Sequence, residues 1–189
     1  MTSIVFAETD TEDTKRILER FPDAVLVHEA INDGNIPPAC NDAEVLSCFV
    51  NSRITRTVLD AMPRLKLLGT RSVGFDHIDV AACKERGITV CNVPDYGSHV
   101  IAEHVFALLL STLRHVPEAS QRVEGGTFDY RGLRGMSLRG KTIGIVGTGK
   151  IGRRVAQIAH GFGMRILLFD MCRVIELTDL LGATYVSFD

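Results

Sequence analysis

The chain has 189 residues, 46% of them hydrophobic, and a formal net charge of −2. That composition supports a substantial core in one large or two small domains, and supplies neither a basic stripe for nucleic acid nor a charge block for a disordered tail. No apolar run is long enough to span a membrane, and residues 1–6 read as strand-like rather than as a signal peptide, so a cytoplasmic protein is expected.

Residues 3–7 read as a strand, and Asp10 and Thr11 as the cap of a helix running to about Arg20. A second strand covers 24–27, and Gly34, Pro37 and Pro38 mark 32–42 as a loop. A strand at 45–49 leads to a helix at 55–61 that Pro63 ends. A strand at 65–69 follows, then a helix at 79–86 closed by Gly87 and a strand at 88–91. Asp76 and Asp79 are suited to capping the turn and helix they precede. Short apolar strands alternating with helices predict a parallel sheet covered on both faces. After a punctuated stretch at 93–97, residues 100–115 form a helical pattern that is apolar almost all round. Such a helix is expected to be buried between layers or subunits. Glycines at 125, 126, 132 and 135 mark a connector. A nucleotide-binding unit begins near Leu138, and a helix at 174–181 and a strand at 183–186 close the pattern.

Within that last unit, Gly147-Thr148-Gly149-Lys150-Ile151-Gly152 fits G-x-G-x-x-G. A buried strand at 142–146 precedes it. A helix at 153–162 follows, with Val155, Ile158, Ala159 and Phe162 on one face, and a strand at 165–169 leads to Asp170. Strand, glycine turn, helix, strand and acid form the dinucleotide-binding fingerprint. Gly147 permits the tight turn, Gly149 lets a pyrophosphate approach the backbone, and Gly152 lets the helix pack against the strand. The helix N-terminus offers N–H groups to phosphate. Asp170 is positioned to accept the adenosine ribose hydroxyls and to repel a 2′-phosphate, which favours NAD over NADP, with Arg173 near enough to soften that preference. After Gly140 there is room for only one of the two βαβαβ halves of a complete dinucleotide fold.

Five cysteines, Cys40, Cys48, Cys83, Cys91 and Cys172, are odd in number and make no C-x-x-C pair. Free thiols are expected rather than a disulfide framework or a zinc site. The six histidines lack metal-ligand spacing, so no metal is expected.

Residues 66–170 resemble the D-isomer-specific 2-hydroxyacid dehydrogenases, and among them most resemble the D-lactate dehydrogenase-like branch. The resemblance rests on Arg71-Ser72-Val73-Gly74-Phe75-Asp76-His77-Ile78-Asp79, on Asn92-Val93-Pro94-Asp95-Tyr96-Gly97, on Ala102-Glu103-His104, and on Leu138-Arg139-Gly140-Lys141-Thr142 leading into the glycine turn. It implies an α/β chain with a flavodoxin-like substrate domain over 1–98, followed by the first half of a Rossmann NAD-binding domain over 99–189. It implies NAD as cofactor, a small 2-keto or 2-hydroxy acid as substrate, and a homodimer through the helical region 100–120. The Val73 and Gly74 backbone would bind the substrate carboxylate, a role that also suits a glycine whose amide an anion must approach. Tyr96 would stand over the cleft, and Glu103 and His104 near the cofactor. The family's catalytic Arg, Glu and His fall beyond Asp189, so no catalytic residue is assigned here, and His77, His99 and His104 are not substitutes. The leading expectation is the N-terminal portion of an NAD-dependent dehydrogenase, inactive by itself. The alternatives are a non-catalytic NAD-binding or corepressor-like module, or a subunit pairing with a full-length paralogue. A likeness to S-adenosylhomocysteine hydrolases is disfavoured by the Ser72-Val73-Gly74-Phe75-Asp76 stretch.

Overall fold

The computed structural model describes residues 3–189. Met1 and Thr2, part of the strand-like start, lie outside the described residues. The chain divides into two compact units, the first ending at Tyr96 and the second running from Gly97 to Asp189.

The first unit contains β1 (Ile4–Ala7), α1 (Thr11–Arg20), β2 (Val25–Val27), β3 (Val45–Cys48), α2 (Arg56–Asp60), β4 (Leu67–Thr70), α3 (Val80–Glu85) and β5 (Thr89–Cys91). All pairings are parallel and the order is β2-β1-β3-β4-β5, the flavodoxin-like arrangement with its reversal between β1 and β3. Register carries one row across the sheet, Val5 beside Leu46 and Leu46 beside Leu68, all fully buried. The opposite row, Ile4, Phe6, Val45, Ser47 and Leu67, is only half buried, and α1 buries no residue. Both faces are thus covered, but unequally.

Local chemistry sets the helix starts. Asp10 accepts from the Asp13 amide at 2.7 Å, Thr55 from Val58 at 3.3 Å and Asp79 from Ala82 at 2.8 Å. Asp76, by contrast, is exposed in the loop. The expected loop at 32–42 contains a short 3-10 helix, Pro38–Cys40, that buries Cys40.

In the second unit lie α4 (Ser98–Leu113), α5 (Val116–Glu124), β6 (Thr142–Val146), α6 (Lys150–Gly161), β7 (Arg165–Phe169), α7 (Ile175–Leu181) and β8 (Thr184–Tyr185). The sheet is parallel, in the order β6-β7-β8. Its core gathers Phe106 of α4, Ile145, Val155, Ala156 and Ala159 of α6, and Ile166 and Leu168 of β7. Phe106 stacks on Phe162 at 5.3 Å.

Two expectations change here, at His115 and in β6. The helical run does not continue through His115, which takes a left-handed φ of +52° ahead of a helix with proline in its first turn. Pro117 has no amide to donate back to Leu113 O, so the α4 ladder cannot run on through it, and a new helix starts at Val116. In helix α4, Ala102 and Phe106 face the core, while Val100, Ile101, Val105 and Leu108 are exposed, which leaves the expected burial between subunits to a partner surface. Strand β6 is not a buried strand: among the described residues it ends its sheet, only Ile145 is buried and Val146 is 70% exposed. Among the described residues, no helix is long and apolar enough to cross a membrane.

Candidate functional site

Strand β6 ends at Val146 and α6 begins at Lys150, three residues earlier than the pattern suggested. Gly147, Thr148 and Gly149 thus form the turn, and Lys150, Ile151 and Gly152 the first turn of the helix. Each glycine answers a different demand. Gly147 has φ +95°, and its amide donates to Phe169 O at 2.8 Å, tying the turn to the end of β7. At Gly152 an added Cβ would stand 2.0 Å from Gly147 O, so α6 packs too closely for any side chain. Gly149 is the N-cap of α6, and nothing lies within 4 Å of where its Cβ would be. A helix N-terminus with open space before it matches what a phosphate requires.

Thr148, between those glycines, is 1% exposed. Its amide and hydroxyl both donate to Asp170 Oδ2, at 2.5 and 3.0 Å. The Tyr185 hydroxyl donates to Thr148 Oγ1 at 3.0 Å and accepts from the Val174 amide at 2.9 Å. Asp170 Oδ1 accepts from the Cys172 amide at 3.0 Å. The Cys172 amide and then the Thr148 donors hold the Asp170 carboxyl down to about 2, firmly ionised. The sequence pointed this carboxylate at a ribose; the structure places it first against the glycine turn and the start of the following loop. Tyr185 was not singled out from the sequence, yet it closes the chain of bonds. The Arg173 guanidinium lies 5.6 Å from the centre of its ring.

In the first unit, a cavity of about 600 Å³ is lined by Asn32, Val50, Asn51, Arg53, Gly74, Asp76 and His77. It opens beyond the carboxyl ends of β3 and β4, the edge where open parallel sheets receive ligands. Val73 and Gly74 are exposed in the loop after β4. Asn92 Nδ2 donates to Val73 O at 2.8 Å, and Ser72 Oγ to Gly74 O at 2.7 Å. A trans peptide points its N–H opposite to its carbonyl, so Asn92 turns the Gly74 amide away from itself. Ser72 Oγ lies 2.6 Å from Thr70 Oγ1, which lies 3.1 Å from His77 Nε2. Neither Asn92 nor Ser72 was given a role by motif spacing alone.

Tyr96, 53% exposed after β5, is not among the residues lining this cavity. Glu103 and His104 are exposed on α4. Cys40, Cys48 and Cys83 are buried free thiols, and Cys91 and Cys172 exposed ones. Burial pushes Cys48, near His77, up to about 11, so it is a poor nucleophile. Among the described residues, no group of three or more His, Cys, Asp or Glu could hold a metal.

Comparisons with known proteins converge on one family. The sequence profile of the D-isomer specific 2-hydroxyacid dehydrogenase catalytic domain matches residues 4–184. The D-3-phosphoglycerate dehydrogenase of Methanocaldococcus jannaschii is 34% identical over 187 residues, covering 99% of this chain and 36% of the relative. The glyoxylate reductase of Pyrococcus furiosus is 40% identical over 151 residues, 76% of this chain and 45% of the relative. The crystal structure of a D-lactate dehydrogenase from Aquifex aeolicus, complexed with NAD and lactic acid, superposes with a TM-score of 0.89 at 34% identity, over 98% of this chain and 56% of that one. The chain therefore spans between 36% and 56% of the length of these relatives. Spanning residues 4–184, the match covers both units, and the chain belongs to the D-isomer-specific 2-hydroxyacid dehydrogenase family.

Proposed function

We propose that this chain provides the substrate-carboxylate and adenosine-diphosphate sites of an NAD-dependent D-2-hydroxyacid dehydrogenase acting on small 2-keto or 2-hydroxy acids. On this reading residues 1–98 serve the substrate and 99–189 the cofactor. The observation that carries it is the glycine turn, with its open space at Gly149 and a Gly152 that admits no side chain. These residues suit a dinucleotide: a helix start with open space at Gly149 for the pyrophosphate, and an ionised acid beside it. When bound, NAD supplies the hydride, and the residues of this chain bind and orient.

The first-turn amides of α6, from Lys150, Ile151 and Gly152, face the phosphates, with Gly147, Thr148 and Gly149 shaping the approach. Asp170 takes the ribose hydroxyls with acceptor capacity left beside the turn, and its charge disfavours a 2′-phosphate. The Gly74 amide, directed by Asn92, receives the substrate carboxylate together with Val73, while a place for Tyr96 over the cleft rests on the family resemblance. No residue of the chain is assigned to polarise the carbonyl or donate the proton, so binding without turnover is expected of residues 1–189 alone. A homodimer through 100–120 belongs to the same reading, supported by the exposed apolar face of α4.

The test is a calorimetric titration of the chain with NAD and with ADP-ribose. Gly149→Val fills the open space without meeting a neighbouring atom at Cβ. It should abolish binding and leave the unfolding curve in place. Unchanged affinity refutes the site.

A further inference from the structure

The chain leaves β1 and β3 at the same sheet edge but continues in opposite directions, because the strand order reverses between them. Such a reversal opens a crevice rimmed with backbone amides, which commonly takes an anion. Here a side chain of the protein fills it. Glu8 Oε1 accepts from the amides of Phe49 at 3.1 Å and Ser52 at 2.8 Å, and Oε2 from Asn51 at 2.9 Å. Ser52 Oγ accepts from the Ile31 amide at 3.0 Å, which draws the segment after β2 into the same knot. Arg71, the first residue after β4, donates to the carbonyls of Ala7 at 2.9 Å and Glu8 at 2.7 Å.

Glu8 makes these contacts with φ +54°, a conformation that only glycine adopts readily. A residue persists there when its surroundings over-determine it, and such residues cluster at ligand sites. The segments it joins are those of the substrate cavity. Asn51 lines that cavity together with Val50 and Arg53, and Gly74 enters it from the loop that Arg71 begins. Burial pushes the Glu8 carboxyl up, but the bonds from Ser52, Asn51 and Phe49 outweigh it, so its pKa lies below the ordinary value and the anion persists.

We propose that Glu8 is a positioning residue for the substrate carboxylate. It occupies the anion-binding amides of the loop after β3 and anchors that loop to the one after β4. An incoming carboxylate is thereby directed to Gly74. The proposal rests on the assignment of the Gly74 amide to the substrate.

The experiment is an oxalate titration of the full chain, followed by the backbone amide resonances of Asn51, Ser52 and Gly74. Thermal unfolding and NAD titration are run as controls. In the unsubstituted chain oxalate should shift Gly74 and leave Asn51 and Ser52 in place. Glu8→Gln, which keeps the size and removes the charge, should weaken the Gly74 response roughly tenfold or more, the worth of about one charge-assisted bond, with NAD affinity unchanged. Glu8→Asp should recover part of that loss. Glu8→Gly suits the positive φ and removes the carboxylate, so it covers the case in which Gln does not fold. In it, acetate should bind at Asn51 and Ser52 and restore the Gly74 response, a rescue that a purely structural residue would not show. A normal Gly74 response in both the unsubstituted chain and Glu8→Gln overturns the role of Glu8 alone. So does a lost response in Glu8→Gly that acetate does not restore. No Gly74 shift in the unsubstituted chain overturns the carboxylate site and the role of Glu8 with it.

Discussion

A Gly152→Ala substitution adds one methyl group where α6 rises out of its own turn. The new Cβ would stand 2.0 Å from Gly147 O, 3.0 Å from Gly147 C and 3.5 Å from Ile145 Cγ2. A carbon meets a carbonyl oxygen comfortably only at about 3.3 Å or beyond, so helix and turn must separate by roughly 1.3 Å. The obstructing atoms are backbone, and Gly147 is itself held to Phe169 O, so no side chain can swing aside. Overpacking of this kind costs about 1–3 kcal/mol. Alanine recovers about 1 kcal/mol through its better helix propensity. With a rigid obstacle the upper part of the range applies, leaving a net loss of about 1–2 kcal/mol. Gly161, at the end of the same helix, has nothing within 4 Å of its Cβ position. Gly161→Ala should therefore gain about 0.5–1 kcal/mol. Urea unfolding of the three proteins measures both values, and NAD titration should show weaker binding only for Gly152→Ala. If Gly152→Ala is as stable as its parent while Gly161→Ala behaves as expected, the close approach of α6 to the turn is wrong.

The Asp170 carboxyl titrates at about 2 in the folded chain, below its ordinary 3.8. Depression of a folded-state pKa means that the stabilisation is fully present above the ordinary value and is lost as pH falls through about 2. Asp170→Asn should then be less stable than its parent at pH 7, with the difference closing toward pH 2 in urea unfolding, and its relative affinity for NADP should rise. A stability difference that does not vary with pH would count against the carboxylate lock. For the dimer, Leu108 is 58% exposed on the apolar face of α4. Sedimentation should find the parent dimeric and Leu108→Glu monomeric; a monomeric parent removes the proposed interface.

Much of the fold was legible along the chain because its causes are local. Asp10 and Asp79, read as caps from their spacing, each accept an amide three residues on, as Thr55 also does. Short apolar segments between helices identified the parallel α/β class, and strand-turn-helix order identified the glycine turn. Residues that act across the sheet were not legible. Glu8 bonds to amides more than forty residues away, and Tyr185 to Thr148 thirty-seven residues back. Neither stands in a motif, and no local spacing marks them.

Helix α4 shows the same division. Its composition announces an apolar helix, but which residues are covered depends on what packs against it. Only the face toward α6 is covered, which leaves Leu108 outside and Phe106 inside. The sequence by itself determined the strands, the glycine turn and the caps at Asp10 and Asp79, because backbone conformation and capping depend on a few neighbouring residues. Tertiary structure alone decided that Glu8 fills the crevice between β1 and β3, and that Asp170 bonds the glycine turn. Both follow from strand order and register, which bring together groups that the chain itself keeps far apart.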